Sequence, residues 1–140
     1  MYFGPHLVTW LVGAAQRWID WREIDGIVPV PLHPRKQRQR EFNQAEYLAA
    51  GLTKVVNVPV VKRNLRRVKD TPTQTKLDAE ARRMNLRDAF AVRDGTEFKG
   101  KRLVVLDDVF TTGATMDSCA KTLRGAGAKD VIALAVARGV

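Results

Sequence analysis

Cysteine is nearly absent from this chain: Cys119 is the only one in 140 residues. That excludes an intrachain disulfide and any cysteine-based zinc site. Long apolar runs are missing too, so nothing reaches membrane-spanning length. Two phosphate-binding signatures are lacking. There is no G-x-x-x-x-G-K-[ST] segment, which excludes a P-loop ATPase. Gly125-Ala126-Gly127 follows a helix-like stretch, not a strand, and so reads as a helix stop instead of a dinucleotide fingerprint. Acidic residues are in the minority, 15 against 24 Lys and Arg, for a formal net charge of +9. That excess suits polyanions, phosphorylated small molecules or an acidic partner without choosing among them.

What is present is ordinary for one soluble domain: 45% hydrophobic and 28% charged residues, in a chain long enough to bury a core. Leu7 to Ala15 imitates a signal-peptide core, yet no Lys or Arg precedes it. Leu7, Leu11, Ala14 or Ala15, and Trp18 share one helical face, which predicts an amphipathic helix over 3–20. Residues 1–24 are expected to form a helical segment docked on a domain spanning 25–140, and the expected location is cytoplasmic.

Ile27-Val28-Pro29-Val30 predicts a short strand; Pro29 fits the C-terminal end of a parallel strand better than a central antiparallel one. Asn43 to about Val55 predicts a helix with Ala45, Leu48, Ala49 and Leu52 inward. Val58 to Val61 is a short extended piece, and 62–76 reads as a long mobile loop. Thr75-Lys76-Leu77-Asp78 looks like a capping box before a helix over Ala79 to Asn85. Strands are expected at Ala89 to Val92 and, buried, at Leu103 to Leu106 and Val131 to Ala137. Asp94-Gly95 marks a turn, and a helix is expected over Thr115 to Arg124. Alternating strands and helices imply an α/β fold with a mainly parallel sheet flanked by helices.

The most informative stretch is Leu103-Val104-Val105-Leu106-Asp107-Asp108-Val109-Phe110-Thr111-Thr112-Gly113-Ala114-Thr115. An apolar strand ends in two carboxylates, and a Thr/Gly turn then opens a helix. Asp107 and Asp108 are placed to accept hydrogen bonds from sugar hydroxyls. Thr111, Thr112, Gly113, Ala114 and Thr115 offer hydroxyls, N–H groups and the positive end of a helix dipole to a phosphate. The bland alternative is a solvated strand–helix connection.

This stretch resembles the phosphoribosyl-diphosphate (PRPP) motif of type I phosphoribosyltransferases. The resemblance implies that fold, with Asp107 and Asp108 in the catalytic role and residues 111–115 around the 5′-phosphate. The diphosphate side falls to Val30-Pro31-Leu32-His33-Pro34-Arg35-Lys36: Pro31 and Leu32 at the turn, with Arg35, Lys36, Arg38 and Arg40 as cations for its oxygens. A solvated basic loop and a merely structural His33 are the alternatives. Arg67 to Asn85, including Arg67, Thr71, Gln74 and Arg83, reads as a mobile cover that excludes water from the reacting carbon.

Three ordered blocks are similar to the ComF family, whose members include proteins linked to bacterial DNA uptake. They are Val28-Pro29-Val30-Pro31-Leu32-His33 with Arg35, Arg40 and Phe42-Asn43-Gln44-Ala45; Arg67, Thr71, Gln74, Leu77, Arg83, Asn85, Ala89 and Phe90; and the acidic loop with Ala137-Arg138. The resemblance implies PRPP with Mg²⁺, the metal arriving with PRPP and reached by Asp107 and Asp108 at most, and a role in competence. Full-length members resemble a cysteine-rich, zinc-binding segment followed by this domain. Here the cysteines are missing, so zinc is not expected, and the chain reads as a short form or a domain cut from a longer protein. Thr111 stands where several purine-salvage relatives carry an Asp, which argues against 6-oxopurine salvage. Two other readings stay open. One is a single-stranded DNA or competence-machinery module using Arg35 to Arg40 and Lys62 to Lys69, with only Phe42 nearby for stacking. The other is a PRPP sensor without turnover.

Overall fold

The computed structural model describes residues 19–32, 43–68, 89–110 and 113–138. Its elements are β1 (Gly26–Pro29), α1 (Gln44–Val56), β2 (Leu65–Arg67), β3 (Phe90–Val92), β4 (Arg102–Phe110), α2 (Ala114–Gly125) and β5 (Asp130–Arg138). The main sheet has the order β1-β4-β5, with both pairings parallel. Val60 adds a parallel bridge on the other edge of β1, opposite Ile27. This is the expected α/β architecture: parallel strands carry apolar side chains on both faces, and each face is covered by a helix.

Two cores follow from that alternation. Toward α1, Ile27, Val104 and Leu106 pack with Leu48, Ala49, Leu52 and Val58. Toward α2, Val28, Leu103 and Val105 pack with Met116, Cys119, Leu123 and Phe98. Leu48, Leu52 and Leu123 are fully buried, each contributing about 2 kcal/mol of transfer free energy. The inward residues of α1 are the expected four, Ala45, Leu48, Ala49 and Leu52. Gly26 marks a close approach in β1, because a Cβ there would lie 3.2 Å from a Val61 methyl and 3.3 Å from Leu103.

Several details differ from the expectations. Residues 65–67 are not loop: Leu65 pairs with Val92 and Arg67 with Phe90 in a small antiparallel sheet. A three-residue strand shows no periodicity, and this one is fixed by its partner and by Asn64, whose carboxamide exchanges two hydrogen bonds with the Asp94 backbone at 2.8 and 2.9 Å. Leu65 and Phe90 close over the α2 face of the main sheet. The last strand is less buried than expected. Val131 is buried, Ile132, Leu134 and Ala135 are half-buried and Ala133 is exposed, and β5 is an edge strand among the described residues.

Most of the predicted N-terminal helix lies outside the described residues. Ile19 and Asp20 are not helical, and Asp20 caps a short 3-10 turn over Trp21–Glu23. Ile19 and Ile24 join the α1 core, so this end of the segment packs on the domain. The capping box at 75–78 and the helix over 79–85 also lie outside the described residues. Among those described, no helix is long and apolar enough to cross a membrane.

Candidate functional site

β4 outruns its neighbour. Its pairing with β1 ends at Pro29–Leu106, and the Val30 N–H makes one more bond to the Leu106 carbonyl at 2.9 Å. Pairing with β5 continues through Asp107–Ala135 to Phe110–Arg138. The acid pair was expected at the strand's end; instead the strand runs on to Phe110, because β5 still offers partners for its backbone. Asp107 and Asp108 therefore stand at the C-terminal rim of the sheet, with a paired strand on one side only. Open α/β sheets take ligands at such a rim.

Alternation turns Asp107 to the α2 side, in line with Leu103 and Val105, and Asp108 to the α1 side. Both are half-buried. Asp107 accepts the Asp108 backbone N–H at 2.8 Å. Its carboxyl is pushed up to about 7, first by burial and then by the hydrogen bond and charge of the Asp108 carboxyl; the Asp108 N–H and the Arg67 guanidinium oppose the shift. Cys119 lies buried behind it on α2, where burial and the Asp107 charge hold the thiol well above its ordinary range. Such a thiol is a packing group and not a nucleophile.

Once β4 ends at Phe110, α2 begins at Ala114, so the helix start must open at the same rim. Gly113 makes this turn with φ 79° and ψ 0°, a left-handed conformation that favours glycine, and as the N-cap residue it has no side chain to offer. Its carbonyl accepts the Asp117 N–H at 2.8 Å. Ala114 is buried and Thr115 half-buried; Thr111 and Thr112 lie outside the described residues. A helix that starts at this rim turns the positive end of its dipole toward an anion bound there.

The β1 side of the rim is built differently. Pro31 and Leu32 leave the strand half-buried, while His33, Arg35, Lys36, Arg38 and Arg40 lie outside the described residues. α1 is closed by Asn43, whose side-chain oxygen accepts the Glu46 N–H at 3.2 Å. The other end of that carboxamide donates to the Val30 carbonyl at 3.3 Å. Sequence reasoning placed Asn43 at the helix start and missed the second bond, which only the three-dimensional approach of Val30 reveals.

Arg67 ends β2, so it belongs to the small sheet and not to a cover. Its guanidinium lies over the Phe90 ring, 5.6 Å from the centroid, and its charge reaches Asp107 and Cys119. The alternation of Leu65 and Arg67 on one face of β2 was the available signal, obscured because the strand is so short. Thr71, Gln74 and Arg83 lie outside the described residues.

Two oxygen-only side chains suit a hard divalent cation when ionised, and a cation between them would offset the burial and the repulsion that raise the Asp107 pKa. Among the described residues no three His, Cys, Asp or Glu side chains converge. A metal at Asp107 and Asp108 would draw its remaining ligands from substrate and water.

With this geometry in view, comparison with known proteins is informative. Residues 43–139 match the model of the phosphoribosyl transferase domain. The chain is 37% identical over 125 residues to competence protein F of Haemophilus influenzae, covering 89% of this chain and 55% of that protein. It is 34% identical over 117 residues to the DNA utilization protein YhgH of Escherichia coli O157:H7, covering 84% of this chain and 51% of that protein. The chain thus spans about half the length of these curated relatives. Among solved structures, an adenine phosphoribosyltransferase from Saccharomyces cerevisiae superposes with a TM-score of 0.60 at 15% identity, covering 96% of this chain and 70% of that one. That likeness establishes a shared fold.

Proposed function

This chain belongs to the phosphoribosyl transferase domain family, and on that footing we propose that it binds PRPP and transfers the phosphoribosyl group to an acceptor. One observation carries the reading: a half-buried carboxyl pair at the rim of β4, followed closely by a helix start that turns on Gly113.

The two ends of the donor are chemically distinct, and the rim offers a group for each. Asp107 and Asp108 accept hydrogen bonds from the ribose 2′- and 3′-hydroxyls. The first turn of α2, opened by Gly113, receives the 5′-phosphate on backbone N–H groups. When the C1–O bond to diphosphate breaks, both bonding electrons leave with the diphosphate and positive charge grows on the ribose. Ionised acids beside the ring stabilise that charge. The acceptor then supplies an electron pair to C1 and gives up its proton. Mg²⁺, held through donor oxygens with Asp107 and Asp108 in reach, would neutralise charge on the departing diphosphate.

Pro31 and Leu32, at the end of β1, lie on the diphosphate side of this arrangement, with Arg35, Lys36 and Arg40 following in sequence. Arg67 faces the acid pair from the small sheet, where it offsets negative charge brought in by the donor.

Calorimetric titration with PRPP and Mg²⁺, backed by equilibrium dialysis, tests binding. A heatless titration with no retained ligand rejects the proposal. Pyrophosphate release from PRPP in a metabolite extract separates an enzyme from a sensor: binding without release supports a silent PRPP-binding protein.

A second reading rests on the names of the relatives, which refer to competence and DNA utilization, and on the exposed cations Lys62, Arg63 and Arg66 beside β2. These would track a single-stranded DNA backbone as part of a DNA-uptake system. Binding should weaken steeply with salt, and no binding at low salt rejects this reading.

A further inference from the structure

We infer that Asn43 is a positioning residue for the diphosphate half of the donor site: it fixes the direction in which the chain leaves β1, and so where Pro31 and Leu32 meet the diphosphate. The inference rests on the PRPP reading above and assigns a role to a residue outside the acid pair and the α2 turn.

The argument starts from burial. Asn43 is only 6% exposed, which is uncommon for an asparagine. A buried carboxamide must satisfy both of its ends. Its oxygen takes the Glu46 N–H at 3.2 Å and caps α1; its nitrogen donates to the Val30 carbonyl at 3.3 Å. A helix cap requires only the first bond, and Ser, Thr or Asp would supply it equally well. The second bond needs an amide, and it reaches 13 positions back in sequence.

Its target is the pivot of the rim. The Val30 N–H is fixed by the Leu106 carbonyl at 2.9 Å, one residue before Asp107. The bond from Asn43 fixes the Val30 carbonyl, which lies in the same peptide plane as the Pro31 nitrogen. The proline ring then restricts φ at residue 31. Three restraints in succession thus set the exit from β1: a strand bond, a side-chain bond and a ring. Leu32 carries the first backbone N–H past them, because Pro31 has none. Asn43 consequently links three parts of the rim: the strand bearing the acids, the exit from β1 and the start of α1. Loss of the Val30 bond frees the exit while β4 and α2 keep their own contacts.

The test compares two ligands. Asn43→Ser retains an oxygen for the Glu46 N–H and removes the donor to Val30. Asn43→Asp does the same with a side chain of native length, and its charge favours a helix N-terminus. Wild type and both variants are titrated with PRPP and, separately, with ribose 5-phosphate, all with Mg²⁺; circular dichroism monitors helix content. PRPP affinity is expected to fall about tenfold in both variants, the scale of one lost buried hydrogen bond, while ribose 5-phosphate affinity stays within about twofold. Agreement between the neutral and the charged variant separates the lost bond from the added charge. Unchanged PRPP affinity, or equal losses for both ligands, overturns the inference and leaves the PRPP reading standing. Should Asn43→Ser unfold, Asn43→Asp decides alone. A wild-type protein that binds neither ligand rejects the PRPP reading and this inference together.

Discussion

α1 and α2 both begin at the same rim, each after a parallel strand, yet their first turns are built in opposite ways. α1 opens with a buried Asn43 whose side chain satisfies the Glu46 N–H. α2 opens with Gly113, in a left-handed conformation and with no side chain at the cap position. The contrast separates structure from ligand binding. An Asn cap fills the helix start with a side chain, whereas a glycine there lets a ligand approach the backbone closely. The acid pair lies before the second kind of helix and not the first.

The strongest way to break this comparison is to remove the acids that precede α2. Asp107→Asn combined with Asp108→Asn should lower PRPP affinity or turnover by about 100-fold or more, measured by calorimetry and pyrophosphate release. A variant that keeps its activity would detach the acid pair from the helix start.

Closing the open helix comes next. Gly113→Asp places a carboxylate where the 5′-phosphate is expected and should abolish ribose 5-phosphate binding; the positive φ should also cost about 1 kcal/mol of stability in denaturant melts. The equivalent charge at α1, Asn43→Asp, should leave ribose 5-phosphate binding nearly unchanged, which sharpens the contrast between the two starts.

A pH series probes the cost of keeping acids at the rim. A buried acid raised to about 7 holds its proton in the folded chain after the unfolded chain has released it. Its contribution to stability therefore declines as pH rises from about 4 to about 7. Asp107→Asn should gain about 2 kcal/mol over wild type at pH 8, and the gain should vanish near pH 4. Thermal melts at both pH values read the difference; a constant offset would show that Asp107 ionises freely in the fold.

The smallest effect is expected from the exposed pair on α2, Lys121 with Asp117 at 3.2 Å. Lys121→Ala should change stability by less than about 0.5 kcal/mol, because solvent screens the pair and holding two long side chains costs entropy. A larger loss would mean that α2 depends on its own surface charges and not on its packed face.

Much of this arrangement was legible in the sequence, for reasons that differ from place to place. α1 was readable because Ala45, Leu48, Ala49 and Leu52 repeat at helical spacing, although the cap made by Asn43 was not anticipated. β4 was readable from four consecutive apolar residues, and the acids and Gly113 from their order along the chain. β2 was hidden: Leu65-Arg66-Arg67 looks like charged loop until Phe90–Val92 supplies its partner. The exposure of β5 was hidden as well, since an apolar run does not reveal whether both its edges are paired. The bond from Asn43 to Val30 joins positions 13 apart, and no local pattern announces such a link. The expectations for Arg35, Lys36, Arg40, Thr71, Gln74, Arg83, Thr111 and Thr112 lie outside the described residues.

The double pairing of β4 also constrains how this protein can change. One residue inserted between Arg102 and Leu103 would invert the phase of everything after it, sending Val104 toward α2, Val105 toward α1, and Asp107 off the thiol-bearing side. Two inserted residues would restore the phase but push the acids about 6–7 Å outward from the packed layers. The strand behaves as a ruler: its length sets how far the acids stand from the packed layers below them.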